Sequence, residues 1–249
     1  KRSNLITATL VGLLILPLLL ERREIRPEIF SYFFSAIFLW IIFKVQSQEY
    51  SPKVLFILPF LEIIWINLHI YFFLGIVITG IFALESFMLK STLFKRLTLI
   101  LGLTILATLI NPWGLKGVLE PFNIFKDFGY SLAENKPVWF IEKILNNPNF
   151  LIFKIAFVLL AISFLLRAVF KTRLNFSDLM LAAGFSLAAW LAIRNFAVFG
   201  LFVLPIISSN IQNSFLAVKD SIKNKTIVLG LLTVVLLAIF SGELRNIYP

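Results

Sequence analysis

The chain has 249 residues, 59% hydrophobic and 14% charged, with a mean hydropathy of +0.94, a net charge of +10 and no cysteine. Soluble domains run nearer half apolar and a quarter charged, so this composition excludes an ordinary soluble protein and predicts an all-α, polytopic transmembrane helical bundle. Disulfides and thiolate metal sites are excluded, and unbroken apolar runs such as 227–240 exclude a β-barrel, whose strands alternate in polarity.

Apolar runs predict about nine membrane segments, some short or broken, near 4–20, 28–45, 54–66, 70–88, 97–111, 149–170, 178–192, 195–208 and 226–241. The chain opens Lys1-Arg2-Ser3 rather than with methionine. Its first apolar run lacks a small-residue cleavage site and reads as a span rather than a signal peptide. The expectation is one transmembrane domain over 1–249, a fragment of a longer protein that lacks N-terminal helices.

Between the first two segments lies Glu21-Arg22-Arg23-Glu24-Ile25-Arg26-Pro27-Glu28. Its three arginines suit bidentate contact with a phosphate, although a self-neutralised, solvated turn explains them equally simply. Pro27 opens the next helix and restricts Arg26.

The run 54–88 is too long for one helix, since a crossing needs about 20 apolar residues, and short for two. Trp65-Ile66-Asn67-Leu68-His69 interrupts it and holds the only histidine in the chain. Two helices meeting at a polar break satisfy that length, and polar groups at such a depth persist where they line a cavity. A neutral imidazole and a carboxamide there could orient a sugar or move a proton; the bland reading is that both cap helix ends. Glu62, two turns before His69, shares its face if the helix continues. An intramembrane carboxylate is costly and points to a cavity, a partner or local hydration.

The one long connection, 112–148, opens on the turn signal Asn111-Pro112-Trp113-Gly114. Apolar residues at Leu115, Val118, Leu119, Phe122 and Phe125 then predict an amphipathic interfacial helix over 115–128, with Trp113 and Trp139 at headgroup depth. Farther on, Arg194-Asn195 interrupts an apolar stretch of some thirty residues, where the arginine either snorkels to headgroups or binds an anion. Trp65, His69 and Gly75 are spaced like Trp190, Arg194 and Gly200, a short internal echo of the kind that marks binding sites in transporters.

Strict alternation of the segments puts 13 of the 23 basic residues on the side of the N-terminus. By the positive-inside rule that side is cytoplasmic, in a plasma (inner) membrane. The break at 67–69, the 21–26 loop, the 112–148 connection and Arg194 then gather on the extracytoplasmic face. Cytoplasmic loops meeting anionic lipid account for the net charge, and no nucleic-acid partner is indicated. GxGxxG, GxxxxGK[ST] and GxSxG are all missing, so neither an energy-coupled pump nor a cytoplasmic nucleotide-sugar enzyme is indicated.

Taken in order, Arg26-Pro27-Glu28, Trp65-x-Asn67-Leu68-His69-x-x-Phe72-x-x-Gly75, Asn111-Pro112-Trp113-Gly114 with Pro121, the Glu134-Asn135 and Trp139-x-x-Glu142 loop, and Arg194-Asn195 before Phe196 resemble bacterial C-type (GT-C) membrane glycosyltransferases of the mannosyltransferase-like kind. The resemblance covers roughly 26–205. It implies transfer of a sugar from a polyprenyl-phosphate donor to a glycan, lipid or protein acceptor outside the cell. Under it Glu62 and His69 are the catalytic candidates, and Arg26, Glu28, Asn67, Asn111, Glu142, Arg194 and Asn195 bind substrate. No metal ligand set or organic cofactor is identified, and a divalent cation is compatible with the chemistry. The Asp-x-Asp or Asp-Glu pair usual in the family's first outer loop is missing from every predicted outer loop. A transporter or flippase for a lipid-linked or anionic solute is the competing expectation.

Overall fold

A computed structural model describes residues 3–21, 26–123 and 132–218. Ten helices run α1 Leu5–Leu19, α2 Glu28–Gln46, α3 Ile57–Ile66, α4 Phe73–Met88, α5 Phe94–Ala107, α6 Leu115–Leu119, α7 Val138–Ile141, α8 Asn149–Val169, α9 Phe176–Leu191 and α10 Phe196–Val218, and no strand occurs among the described residues. Among the described residues four stretches are long and apolar enough to cross a membrane: Glu28–Gln46, Ile70–Met88, Asn149–Val169 and Ile193–Ala217. Nine crossings are therefore not confirmed. The segments near 4–20, 54–66, 97–111 and 178–192 fold as helices of only 15, 10, 14 and 16 residues, and 226–241 lies outside the described residues.

Two other segments differ in extent. The segment expected at 195–208 continues as one helix to Val218, within which Ser208 and Ser214 return their hydroxyls to the backbone carbonyls of Leu204 and Asn210. The interfacial helix expected over 115–128 is only the five residues of α6, followed by a 3-10 turn at Glu120–Phe122. Pro121 has no amide to extend the α-helical ladder. Residues 124–131 lie outside the described residues.

The helices form two packed groups. In one, α1 lies along α10 and α8, and α9 packs on α10. Phe153 fills its centre, stacked on Phe196 at 4.6 Å and edge-on to Trp190 at 5.1 Å and Phe199 at 5.0 Å. In the other, α5 packs on α3 and α4, and α2 packs on α4. Contacts of α4 with α9 join the two. One buried carboxylate secures that joint. Glu85 at the end of α4 accepts from the Ser177 amide and hydroxyl at 3.0 Å and from Gln46 Nε2 at 3.1 Å, so three helix ends meet on it.

These contacts also fix which ends lie together. Asn67 at the end of α3 bonds Ile110 just past α5, Glu28 at the start of α2 reaches Arg194 before α10, and Tyr71 before α4 meets Asn195. The starts of α2, α4 and α10 and the ends of α3, α5 and α9 thus share one end of the bundle. Arg167, donating to Asn210 at 3.0 Å inside α8 and α10, and Glu85 lie toward the other.

Close approach of α1 and α10 depends on Gly200, where an added Cβ would stand 2.9 Å from Ile15 Cγ2 and 3.2 Å from Leu19 Cδ2. Gly200→Val should destabilise the protein by about 1–3 kcal/mol, the usual cost of overpacking. Thermal unfolding in detergent, followed by circular dichroism, reads this as a lower Tm; an unchanged Tm would show that the two helices do not meet there.

Candidate functional site

Both interruptions of the apolar sequence are built alike. After α3, His69 takes an extended backbone (φ −157°, ψ 145°) and leads into a 3-10 turn at Ile70–Phe72 before α4. After α9, Ala192 does the same (φ −154°, ψ 123°), leading into a 3-10 turn at Ile193–Asn195 before α10. One extended residue re-aims the chain, and the turn after it carries Tyr71 in one break and Arg194 with Asn195 in the other toward each other.

At the first break, Trp65 is fully buried, stacked 5.5 Å from Phe34, and its Nε1–H donates to Ser31 Oγ at 2.8 Å. Ser31 Oγ lies 2.7 Å from His69 Nδ1, which also accepts from the Tyr71 amide at 3.4 Å. Indole is only a donor, so Ser31 accepts from it and its own proton goes to Nδ1. The relay holds the ring as the tautomer protonated on Nε2.

At the second break, Arg194 is folded inward. Its side chain and that of Glu28 are 11% and 10% exposed, with Nη2 and Oε1 3.5 Å apart. Nη1 donates to Asn135 Oδ1 at 3.1 Å, and the guanidinium carbon stands 5.4 Å from the Tyr71 ring centroid, in cation–π range. The Tyr71 hydroxyl donates to Asn195 Oδ1 at 3.2 Å, and Asn195 Nδ2 donates to the Ala188 carbonyl at 2.8 Å. Tyr71 also meets the His69 ring edge-on at 5.0 Å. A single tyrosine therefore touches both the imidazole and the buried guanidinium. Arg194 Nε is buried without a hydrogen-bond partner, which leaves one strong donor of the fork uncommitted. At the margin, Arg26 pairs with Glu134 at 3.3 Å, both partly exposed, a contact worth little by itself.

Of the nine residues singled out in the sequence, Glu28, His69, Arg194 and Asn195 come together, and Arg26 is linked to the neighbouring 133–135 turn through Glu134. The other four do not join them. Asn67 donates from Nδ2 to the Ile63 and Ile110 carbonyls at 2.7 and 2.9 Å, tying α3 to the end of α5. Asn111 folds its own turn, donating to Thr108 and Gly114 carbonyls and accepting from the Trp113 amide. Glu142 is ion-paired with Lys154. Glu62 does not share a face with His69, because α3 stops at Ile66 and the chain turns before the imidazole. Its carboxylate is fully buried without a hydrogen-bond partner, in a notch that exists because residue 75 is glycine: a Cβ there would fall 2.2 Å from Oε2. Phe38 packs against both that notch and Trp65, so aromatic rings separate Glu62 from the Ser31–His69 pair.

Ser31 and Tyr71 were missed in the sequence, and Glu134 and Asn135 stood only as part of a loop motif. Ser31 carried a signal, lying three residues after Glu28 and so on the same helical face. Tyr71, a lone phenol among aromatic neighbours, carried none. Among the described residues no three His, Asp or Glu side chains group as a metal site.

The arrangement can hold an anion against Arg194, present hydroxyl and imidazole groups beside it, and keep a carboxylate at hand in Glu28. The chain matches no model of a known protein family, no curated protein and no solved structure.

Glu62 and Glu28 predict opposite responses to substitution. Glu62→Met, an unbranched apolar chain of similar length, removes an unsatisfied buried group and should stabilise the protein by about 1–3 kcal/mol, measured as a raised Tm in detergent. Glu28→Met leaves Arg194 buried without its carboxylate and should lower Tm. A fall in Tm for Glu62→Met would mean that its carboxylate has a stabilising partner.

Proposed function

We propose that this chain is a membrane-embedded glycosyltransferase of GT-C-like architecture, which moves a sugar from a polyprenyl-phosphate donor to an acceptor hydroxyl at the end of the bundle holding Arg194. The single observation carrying this reading is that inward-folded guanidinium. It is shielded from water, oriented by Glu28, Asn135 and Tyr71, and has an Nε–H to spare. Arginine suits phosphate geometry better than lysine, and a fixed donor in a poorly solvated site stabilises developing charge strongly. The ordered sequence motifs support the reading, and the four long apolar stretches support embedding in a bilayer.

In the reaction a carboxylate takes the acceptor's proton as its oxygen attacks the anomeric carbon. The bond from that carbon to the phosphate oxygen breaks with inversion, and polyprenyl phosphate leaves with its added negative charge held by Arg194. With Glu62 sealed beneath aromatic rings, Glu28 and Glu134 are the carboxylates within this region that could serve as base. His69, held through Nδ1 by Ser31, would orient the sugar or the leaving oxygen. The extracytoplasmic placement of this end, with the N-terminus of the chain in the cytoplasm, belongs to the same proposal.

A second reading, a transporter or flippase for a lipid-linked or anionic solute, is favoured by one observation. The two breaks share the same extended-residue, 3-10 and helix construction, as paired broken helices do around transport sites.

Proteoliposomes given a panel of radiolabelled polyprenyl-phosphate hexoses and pentoses separate the two. A transferase forms labelled glycan product, whereas a transporter moves the label across the bilayer unchanged. Arg194→Ala should reduce transfer by about 100- to 1,000-fold, as loss of a charge-stabilising donor does, and His69→Ala should reduce it with the protein still folded. Full activity in both variants discards the site.

A further inference from the structure

We propose that the groove formed by the first turns of α5 and the 3-10 turn before α3 is a docking site for the phosphate headgroup of an anionic membrane lipid, separate from the Arg194 cluster. It has a volume of about 400 Å³ and is lined by Pro52, Thr92, Leu93, Lys95, Arg96 and Leu99. The other end of α5 is the one tied to Asn67 through Ile110, so the groove and the Arg194 cluster lie at opposite ends of the bundle. The inference requires a membrane around the chain but no particular activity.

Charge argues for an anion. Lys95 and Arg96 are adjacent, and neither has an ion-pair or hydrogen-bond partner among the described residues. The ion pairs there join Arg26 to Glu134, Lys44 to Glu49, Lys154 to Glu142 and Arg194 to Glu28. Both cations sit in the first turn of a 14-residue helix, where the helix dipole is already positive and cations are disfavoured. An anion in the groove relieves both repulsions, and a phosphate can take donors from lysine, arginine and the Thr92 hydroxyl together.

The apolar half of the groove argues for a lipid rather than a soluble phosphate. Lys95, Arg96 and Leu99 lie in the first two turns of α5, and Thr92 stands in the turn just before it. Leu99, one turn deeper than the cations, is 52% exposed. Beside the first turn of α5 the end of α4 exposes Phe87, Met88 and Leu89, with Phe87 5.1 Å from Phe94 of α5. Cations flanked by bare apolar side chains at their own level, with exposed Leu99 one turn deeper, suit a headgroup that carries an acyl chain better than a free phosphate.

The full-length chain in detergent can be titrated with short-chain phosphatidylglycerol, phosphatidylcholine of the same chain length, or inorganic phosphate, with bound species read by native mass spectrometry. Phosphatidylglycerol should bind about ten- to thirty-fold more tightly than phosphatidylcholine, as two juxtamembrane cations allow. Lys95→Ala with Arg96→Ala should erase that preference. Thr92→Asp should weaken it too while supporting the helix, since its carboxylate would compete for the same cations from three and four residues away. Lys116→Ala with Lys143→Ala, which removes equal charge elsewhere, should leave it unchanged. Equal binding of the two lipids, equal loss in the control variant, or displacement of the lipid by inorganic phosphate would each overturn the proposal.

Discussion

A guanidinium taken out of water has to be met by acceptors, and the ones that meet Arg194 come from parts of the chain far apart in sequence. Glu28 begins α2, Asn135 belongs to the loop before α7, and Tyr71 stands in the turn between α3 and α4. Each contact alone is modest. Together they require that three helix junctions converge, because withdrawing any one leaves a buried charge short of partners, the expensive outcome in a low-dielectric setting. The polar end of the bundle is held in register by that requirement. The aromatic packing around Phe153 and Trp65 sets its distance from the core.

The two chain breaks are the means of meeting it. A straight helix through 54–88 or 178–208 would turn its polar residues onto different faces. An extended residue followed by a 3-10 turn puts His69 beside Tyr71 and Arg194 beside Asn195, and the two pairs then touch through the tyrosine. The breaks share a construction but not the register of Trp65, His69, Gly75 and Trp190, Arg194, Gly200, because the extended residue is His69 itself in one and Ala192, two residues before Arg194, in the other. In both copies the glycine is also where another part of the protein comes closest, Glu62 in one and α1 in the other.

Much of this was legible in the sequence because membrane helices write polarity sparingly. A histidine or arginine inside an apolar run stands out, and His69, Arg194 and Asn195 were found on that ground, whereas Glu28 came from the charged loop before α2 and the motif it closes. What stayed hidden was partnership. Asn67 and Asn111 looked as available as His69, but their carboxamides are spent on backbone carbonyls one turn away or across a helix pair, and nothing in composition shows where a carbonyl has lost its helical donor. Glu62 misled for a different reason. Its spacing from His69 held only while the helix continued, and three residues of changed backbone were enough to put the two in different surroundings. The count of crossings is not confirmed, for a reason of length: hydropathy finds apolar runs, whereas their helical rise depends on where 3-10 turns and caps cut them.

The shortness of α3 bears on the surrounding lipid. Its outward stripe of Ile57, Phe60 and Ile64 is well exposed, yet ten residues rise only about 15 Å. The five-residue 3-10 turn that runs into it adds about 10 Å, leaving the two together short of a hydrocarbon core of about 30 Å. A bilayer meeting this side must thin or pucker toward it. Such a dimple would draw the headgroup layer toward the polar end at Asn67, so the two leaflets would come nearer each other beside this one short helix than elsewhere around the bundle.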